Sequence, residues 1–150
     1  MVNSVVGSSM YPTLHDKDIM LAYRLGYTPS QGDVVVIRKE SFMEEAIVKR
    51  VIATEGQEVE INYDTNTVYV DGVAMEEPYI NQEDTDVVEE KQGMVYKEFT
   101  VPEGCIFVMG DNRNGSTVSR FGSLGMVDTD YVLGRAVCVV FPFSDFKSLL

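Results

Sequence analysis

The run Ile47-Val48-Lys49-Arg50-Val51-Ile52 constrains this chain more than any other stretch. Its β-branched residues favour an extended strand over a helix, because branching at Cβ restricts χ1 against a helical turn. A strand this apolar buries at least one face. Lys49 and Arg50 are neighbours and project to opposite faces, so one can be solvated while the other points inward. A lysine aimed into apolar surroundings loses hydration, which disfavours its charged form. Such a lysine can be neutral near pH 7 and act as a general base. Lys49 can equally lay its stem on the sheet and carry its ammonium out to solvent. The residues alone leave both readings open.

The rest of the chain repeats the extended pattern. Ile19 to Tyr23 reads as a strand, and Pro29 to Asp33 is a turn signal. Val34-Val35-Val36-Ile37 is a continuous β-branched run, the mark of a strand buried on both faces. Glu58 to Asn62 and Thr67 to Val70 alternate polar and apolar, with Asp71-Gly72 after them, and read as a hairpin with one solvated face. The acidic stretch from Glu76 to Gln92 is a solvated excursion. Val95 to Val101, Cys105 to Met109 and Arg135 to Val140 complete the strands, and Pro142 ends the last of them. No long helical period occurs anywhere. The fold class is mainly β, with antiparallel strands in a compact, barrel-like sheet and little helix, in a single domain over 1–150.

A chain of 150 residues with 45% hydrophobic residues can bury a core of its own. The formal net charge of -12 argues against a nucleic-acid partner, for which a basic face is expected. The 2 cysteines, Cys105 and Cys138, match no metal motif and sit in apolar runs as small hydrophobes. No metal and no cofactor is expected. The single histidine, His15, could be a general base in principle, but beside Asp16, Lys17 and Asp18 it reads first as a surface-turn residue.

Two further segments carry chemistry. Gly7-Ser8-Ser9-Met10-Tyr11-Pro12-Thr13-Leu14 reads as a strand ending in a rigid bend, because Pro12 fixes its own φ and pushes Tyr11 to an extended conformation. A serine just before such a bend is presented rather than packed, as a nucleophile must be. An ordinary turn is the bland alternative. The second segment is the loop Gly110 to Gly125, rich in Gly, Asn, Ser and Arg. Ser116 or Ser119 in it could hold a neutral lysine amine by hydrogen bonds, or the loop could be an ordinary surface loop.

Taken together, these segments resemble the bacterial type I signal peptidases, membrane-bound serine proteases with a Ser-Lys dyad. The likeness covers nearly the whole chain in the family's order. It comprises Ser-Met-x-Pro-Thr-Leu at Ser9 to Leu14, Gly32-Asp33-Val34-Val35, Lys49-Arg50 followed by Gly56, and the Gly-Asp-Asn-Arg box from Gly110 to Arg120. The resemblance implies that Ser9 is the nucleophile, Ser8 its non-catalytic neighbour, and Lys49 the general base. Ser116 falls on the serine that holds the lysine amine, and Ser119 and Arg120 on the supporting Ser-Arg pair. The backbone N–H of Ser9 would supply part of the oxyanion hole. Gly7 occupies the position of a second donor in some members, as in many Gram-positive enzymes. Val118 replaces the family's aspartate, so Arg120 either pairs with another acid, for which Asp111 is the candidate, or stays solvated.

By family position, Val5, Met10, Leu14, Met20 and Val48 line the substrate floor beside Gly7. Bulky residues there would leave shallow pockets and select Ala-x-Ala before the cut. The expected partners are preprotein signal peptides and a lipid surface, the latter met by Met10, Tyr11, Phe141, Phe143 and Phe146. The expected state is a monomer. The abrupt start at Met1 suggests an upstream membrane anchor, with the catalytic domain outside the cytoplasmic membrane of a Gram-positive bacterium.

Two other readings are weighed against this one. A signal-peptidase-like factor for pilin or secreted-protein assembly would bind without cutting, but would be expected to have lost Ser9 or Lys49. A self-cleaving repressor of the related Ser-Lys fold would need a DNA-binding module, against which the acidic balance speaks.

Overall fold

The computed structural model describes residues 2–5, 10–37, 47–62, 67–76, 96–111 and 126–150. Of the sequence features above, Ser8, Ser9, Gly7, Val118, Ser116, Ser119 and Arg120 lie outside these residues, as does most of the acidic stretch.

The strands are β1 (Val2–Ser4), β2 (Ile19–Tyr23), β3 (Val34–Ile37), β4 (Ile47–Thr54), β5 (Glu58–Asn62), β6 (Thr67–Val70), β7 (Val73–Ala74), β8 (Tyr96–Thr100), β9 (Cys105–Met109), β10 (Met126–Asp128), β11 (Val132–Phe141) and β12 (Lys147–Ser148). They form two antiparallel sheets. The larger runs β1-β2-β11-β3-β4-β9-β10, with β12 also on β11; the smaller runs β7-β6-β5-β8. The only helical elements among the described residues are single 3-10 turns, Thr129–Tyr131 and Phe143–Asp145.

The β-branched runs occupy the interior of the larger sheet. β3 is buried along its whole length, as its unbroken apolar pattern predicts. β4 lies between β3 and β9, and only its two end residues reach the surface. A bulge between Val51 and Ala53 shifts the register of β4 against β9. It turns both Ile52 and Ala53 toward the cluster that β5 and β6 complete with Val59, Ile61, Val68 and Val70. The β5–β6 hairpin alternates buried and half-buried residues as expected. Asp71 and Gly72, both at positive φ (50° and 80°), make the two-residue turn from β6 into β7.

One strand end differs from the sequence expectation. Pro142 does close the long strand β11, but the chain then returns through the 3-10 turn as β12, pairing Lys147 with Val139 and Ser148 with Cys138. A two-residue strand has no periodicity of its own to announce it.

Candidate active site

Strand β4 places the two cations. In its pairing with β3, Lys49 sits opposite Val35 and Arg50 opposite Val34. They therefore occupy opposite faces, as strand parity requires. Neither, however, is solvated: Lys49 is 4% exposed and Arg50 8%. Both faces of this central strand are covered, one by Val34, Val36 and Val48 and their neighbours, the other by Val35, Ile37, Val51 and Val108. Of the readings the sequence leaves open for Lys49, burial is the one the structure shows.

The two burials have different consequences. Arg50 is held by three hydrogen bonds. Its Nε donates to Asp111 Oδ1 at 2.9 Å, its Nη2 to Asp111 Oδ2 at 2.8 Å, and its Nη1 to the carbonyl of Gly32 at 2.8 Å. Gly32 can present that carbonyl because its φ of 91° is open to glycine. Lys49 instead responds by titration. Burial lowers its pKa from 10.5 to about 8, and the Asp111 carboxylate opposes that fall.

Asp111, with no exposed surface, also accepts a hydrogen bond from Thr13 Oγ1. One carboxylate thereby joins β4 to the turn that follows Ser9. That turn is closed by Leu14 N–H donating to Met10 C=O at 3.0 Å. On the other side of residues 6–9, Val5 exchanges backbone bonds with Lys17 and Asp18, both at 2.8 Å. The two flanks of the serine segment, Val5 and Met10, are each buried and belong to one apolar cluster.

The same cluster gathers all the described residues expected at the substrate floor: Val5, Met10, Leu14, Met20 and Val48. Leu14 and Met20 have no exposed surface, so they form its underside, while Val5 and Val48 retain a little. Lys49 lies on the opposite face of β4 from Val48, and Asp111 acts on it through its charge. Met10, expected also at a lipid surface, is core, being 1% exposed. Tyr11, Phe141, Phe143 and Phe146 are exposed.

Asp33, from the Gly32-Asp33 motif, makes a second buried network. It accepts from Tyr27 Oη at 2.6 Å and Ser30 N–H at 3.1 Å, and pairs with Arg135 at 3.2 Å. Burial, then the Asp33 carboxylate, pushes the Tyr27 hydroxyl well above its ordinary pKa, so it serves as a donor. Cys105 and Cys138 are both free and half-buried, on β9 and β11. His15 faces the carboxylates of Asp18 and Asp145.

Sequence reasoning missed Thr13 and Arg50 as partners of Asp111. Thr13 stands inside the Ser-Met-x-Pro-Thr-Leu motif and Asp111 inside the Gly-Asp-Asn-Arg box, but no local pattern connects them.

The family described as "Signal peptidase, peptidase S26" matches residues 1–141. Signal peptidase I T of Bacillus subtilis (strain 168) is 37% identical over 150 residues, spanning 95% of this chain and 75% of the relative. Signal peptidase IB of Staphylococcus aureus (strain Mu50 / ATCC 700699) is 34% identical over 157 residues, spanning 96% and 79%. The crystal structure of a signal peptidase I from Enterococcus faecalis V583 is similar at 29% identity with a TM-score of 0.55, over 73% of this chain and 97% of that one.

Proposed function

The chain belongs to the signal peptidase family S26 and is a serine endopeptidase of signal-peptide processing, and from that premise we propose that Ser9 is its nucleophile and Lys49 its general base. The observation that carries this reading is the burial of Lys49. With a pKa of about 8, roughly a tenth of the amine is neutral at pH 7, against about three parts in ten thousand for an ordinary lysine. That difference decides whether a lysine can accept a serine proton at neutral pH.

The neutral Nζ takes the proton from Ser9 Oγ as Oγ bonds to the scissile carbonyl carbon. The C–N bond then breaks, and the leaving amine receives that proton from Nζ. Water attacks the resulting acyl-serine and gives a proton to Nζ, which passes it to Ser9 Oγ as the ester C–O bond breaks, leaving the cleaved carboxyl product with Ser9 and neutral Lys49 restored. The backbone N–H of Ser9 stabilises the oxyanion, each such donor being worth about 2.7–4 kcal/mol. Ser116 orients Nζ, with Ser119 and Arg120 in support.

Substrate binds as an added strand. β1 is at the end of the larger sheet's strand order, so an extended peptide can pair with its outer edge. Alternate side chains of that peptide then face the cluster of Val5, Met10, Leu14, Met20 and Val48. A tightly packed floor leaves room for alanine and little more, giving cleavage after Ala-x-Ala. The exposed Tyr11, Phe141, Phe143 and Phe146 supply an apolar rim for contact with lipid, consistent with an enzyme held at the membrane on its extracytoplasmic side. No helix among the described residues is long and apolar enough to cross a membrane.

The test is incubation with a synthetic Ala-x-Ala junction, with products located by mass spectrometry. Ser9→Ala and Lys49→Ala should abolish cleavage, and Ser8→Ala should not. A wild-type protein that binds the peptide without cutting it would support a non-cleaving factor instead.

A further inference from the structure

The turn after Leu14 and the turn after Pro142 meet at three side chains that the dyad does not use. His15 and Asp18 come from the first turn, and Asp145 from the 3-10 turn Phe143–Asp145. His15 Nδ1 stands 3.4 Å from Asp145 Oδ2 and 3.8 Å from Asp18 Oδ2. One ligand atom from each residue lies within 4.8 Å of the other two. The Asp18 side chain is 1% exposed. Its Oδ2 accepts from the backbone N–H of His15 at 2.9 Å. Its Oδ1 and His15 Nδ1 are both buried atoms without a hydrogen-bond partner. Native proteins seldom leave such groups unsatisfied.

We propose that His15, Asp18 and Asp145 form a binding site for a divalent ion of the zinc class, which ties the turn after Leu14 to the turn after Pro142. One imidazole nitrogen and two carboxylate oxygens suit zinc, with water as the fourth ligand. In a tetrahedral site with bonds near 2.0–2.1 Å, neighbouring donor atoms stand roughly 3.3 Å apart. The His15–Asp145 separation already has this value, and the His15–Asp18 separation exceeds it by about half an ångström. Two carboxylates placed together favour a cation between them. The ring of His15 also packs edge-on against Tyr11 with centroids 5.4 Å apart. The ion would therefore brace the turn that starts at Met10, without taking part in proton transfer.

This site is independent of the Ser-Lys assignment and is tested without an activity readout. The chelator-treated chain is titrated with Zn2+ by calorimetry and melted with and without the ion. One saturable zinc per chain, a higher melting temperature and proton release on binding are expected. Asp145→Asn, at a partly exposed carboxylate, and His15→Gln should each weaken binding at least about tenfold while keeping the native circular dichroism spectrum. Replacing both cysteines by serine should leave the titration unchanged, because thiols are the competing zinc ligands. Absence of saturable binding to the wild-type chain, undiminished uptake by either folded variant, or loss of uptake in the cysteine variant overturns the proposal. Should one ligand variant fail to fold, the other decides.

Discussion

Arg50 grips Asp111 through two parallel hydrogen bonds, Nε to Oδ1 at 2.9 Å and Nη2 to Oδ2 at 2.8 Å, where the carboxylate has no exposed surface. Removing one member of such a pair leaves a charge buried without its counter-ion. Asp111→Asn should therefore lower stability by roughly 3–5 kcal/mol, read as a lower urea midpoint. A midpoint equal to that of the wild-type chain would show that the pair contributes nothing to the fold.

The same substitution acts on Lys49. The Asp111 carboxylate favours the ammonium form of Lys49 against the stronger effect of burial. With that charge gone, the lysine pKa should fall further. In the folded fraction of Asp111→Asn, the acidic limb of the cleavage profile should move to lower pH. Movement to higher pH would mean that Asp111 does not act on Lys49 electrostatically.

Burying Lys49 has a cost that depends on pH. Its folded pKa, about 8, lies below the ordinary 10.5, so the unfolded chain binds the proton more tightly. Stability should rise with pH between these two values. Below both, the cost is fully present, roughly 3 kcal/mol. Lys49→Met removes the charge and keeps the apolar stem. It should be inactive yet more stable than wild type at pH 7, with the advantage shrinking as pH climbs through 8 toward 10.5. Denaturant midpoints at several pH values check this; a variant less stable than wild type at neutral pH would contradict it.

Which of these relationships a sequence reveals depends on how local they are. Val34–Ile37 is legible as a continuous β-branched run and Ile19–Tyr23 as a short apolar run, signals that act over a few residues, and the strands have those bounds. The motifs around Ser9, Lys49 and Asp111 are legible as family resemblance. Strand parity correctly separates Lys49 from Arg50, but not their burial, which follows from the neighbours β3 and β9 on either side of β4. Thr13 bonding to Asp111, and His15 facing Asp145, join distant parts of the chain, and no periodicity encodes them. Met10 reads from the sequence both as a floor residue and as a lipid-facing neighbour of Tyr11; it is buried in the floor cluster while Tyr11 stays outside.

The exposed rings near the C-terminus give a membrane prediction. Phe143 is 81% exposed and Phe146 65%. Replacing both by serine should change stability by no more than about 0.5 kcal/mol. Cleavage of a soluble peptide should be unchanged without lipid, and the stimulation by anionic lipid vesicles should be lost. Equal stimulation of the variant and the wild-type chain would remove these rings from the lipid contact.

The floor prediction concerns size. In a peptide series varied at the residue before the cut, alanine should be cleaved fastest, and Val48→Ala should relax the preference toward larger side chains by opening space beside Val34 and Val36. Leucine accepted as readily as alanine by the wild-type chain would mean that this cluster does not set selectivity.

The central claim is that a buried, neutral Lys49 amine takes the proton of Ser9, and the pH dependence of kcat/KM for an Ala-x-Ala peptide tests it most directly. The rate should climb through neutral pH and level off above an apparent pKa of about 8, the value that burial imposes on Lys49. A limb at the ordinary lysine value of 10.5, or a rate flat from neutral to alkaline pH, would contradict it.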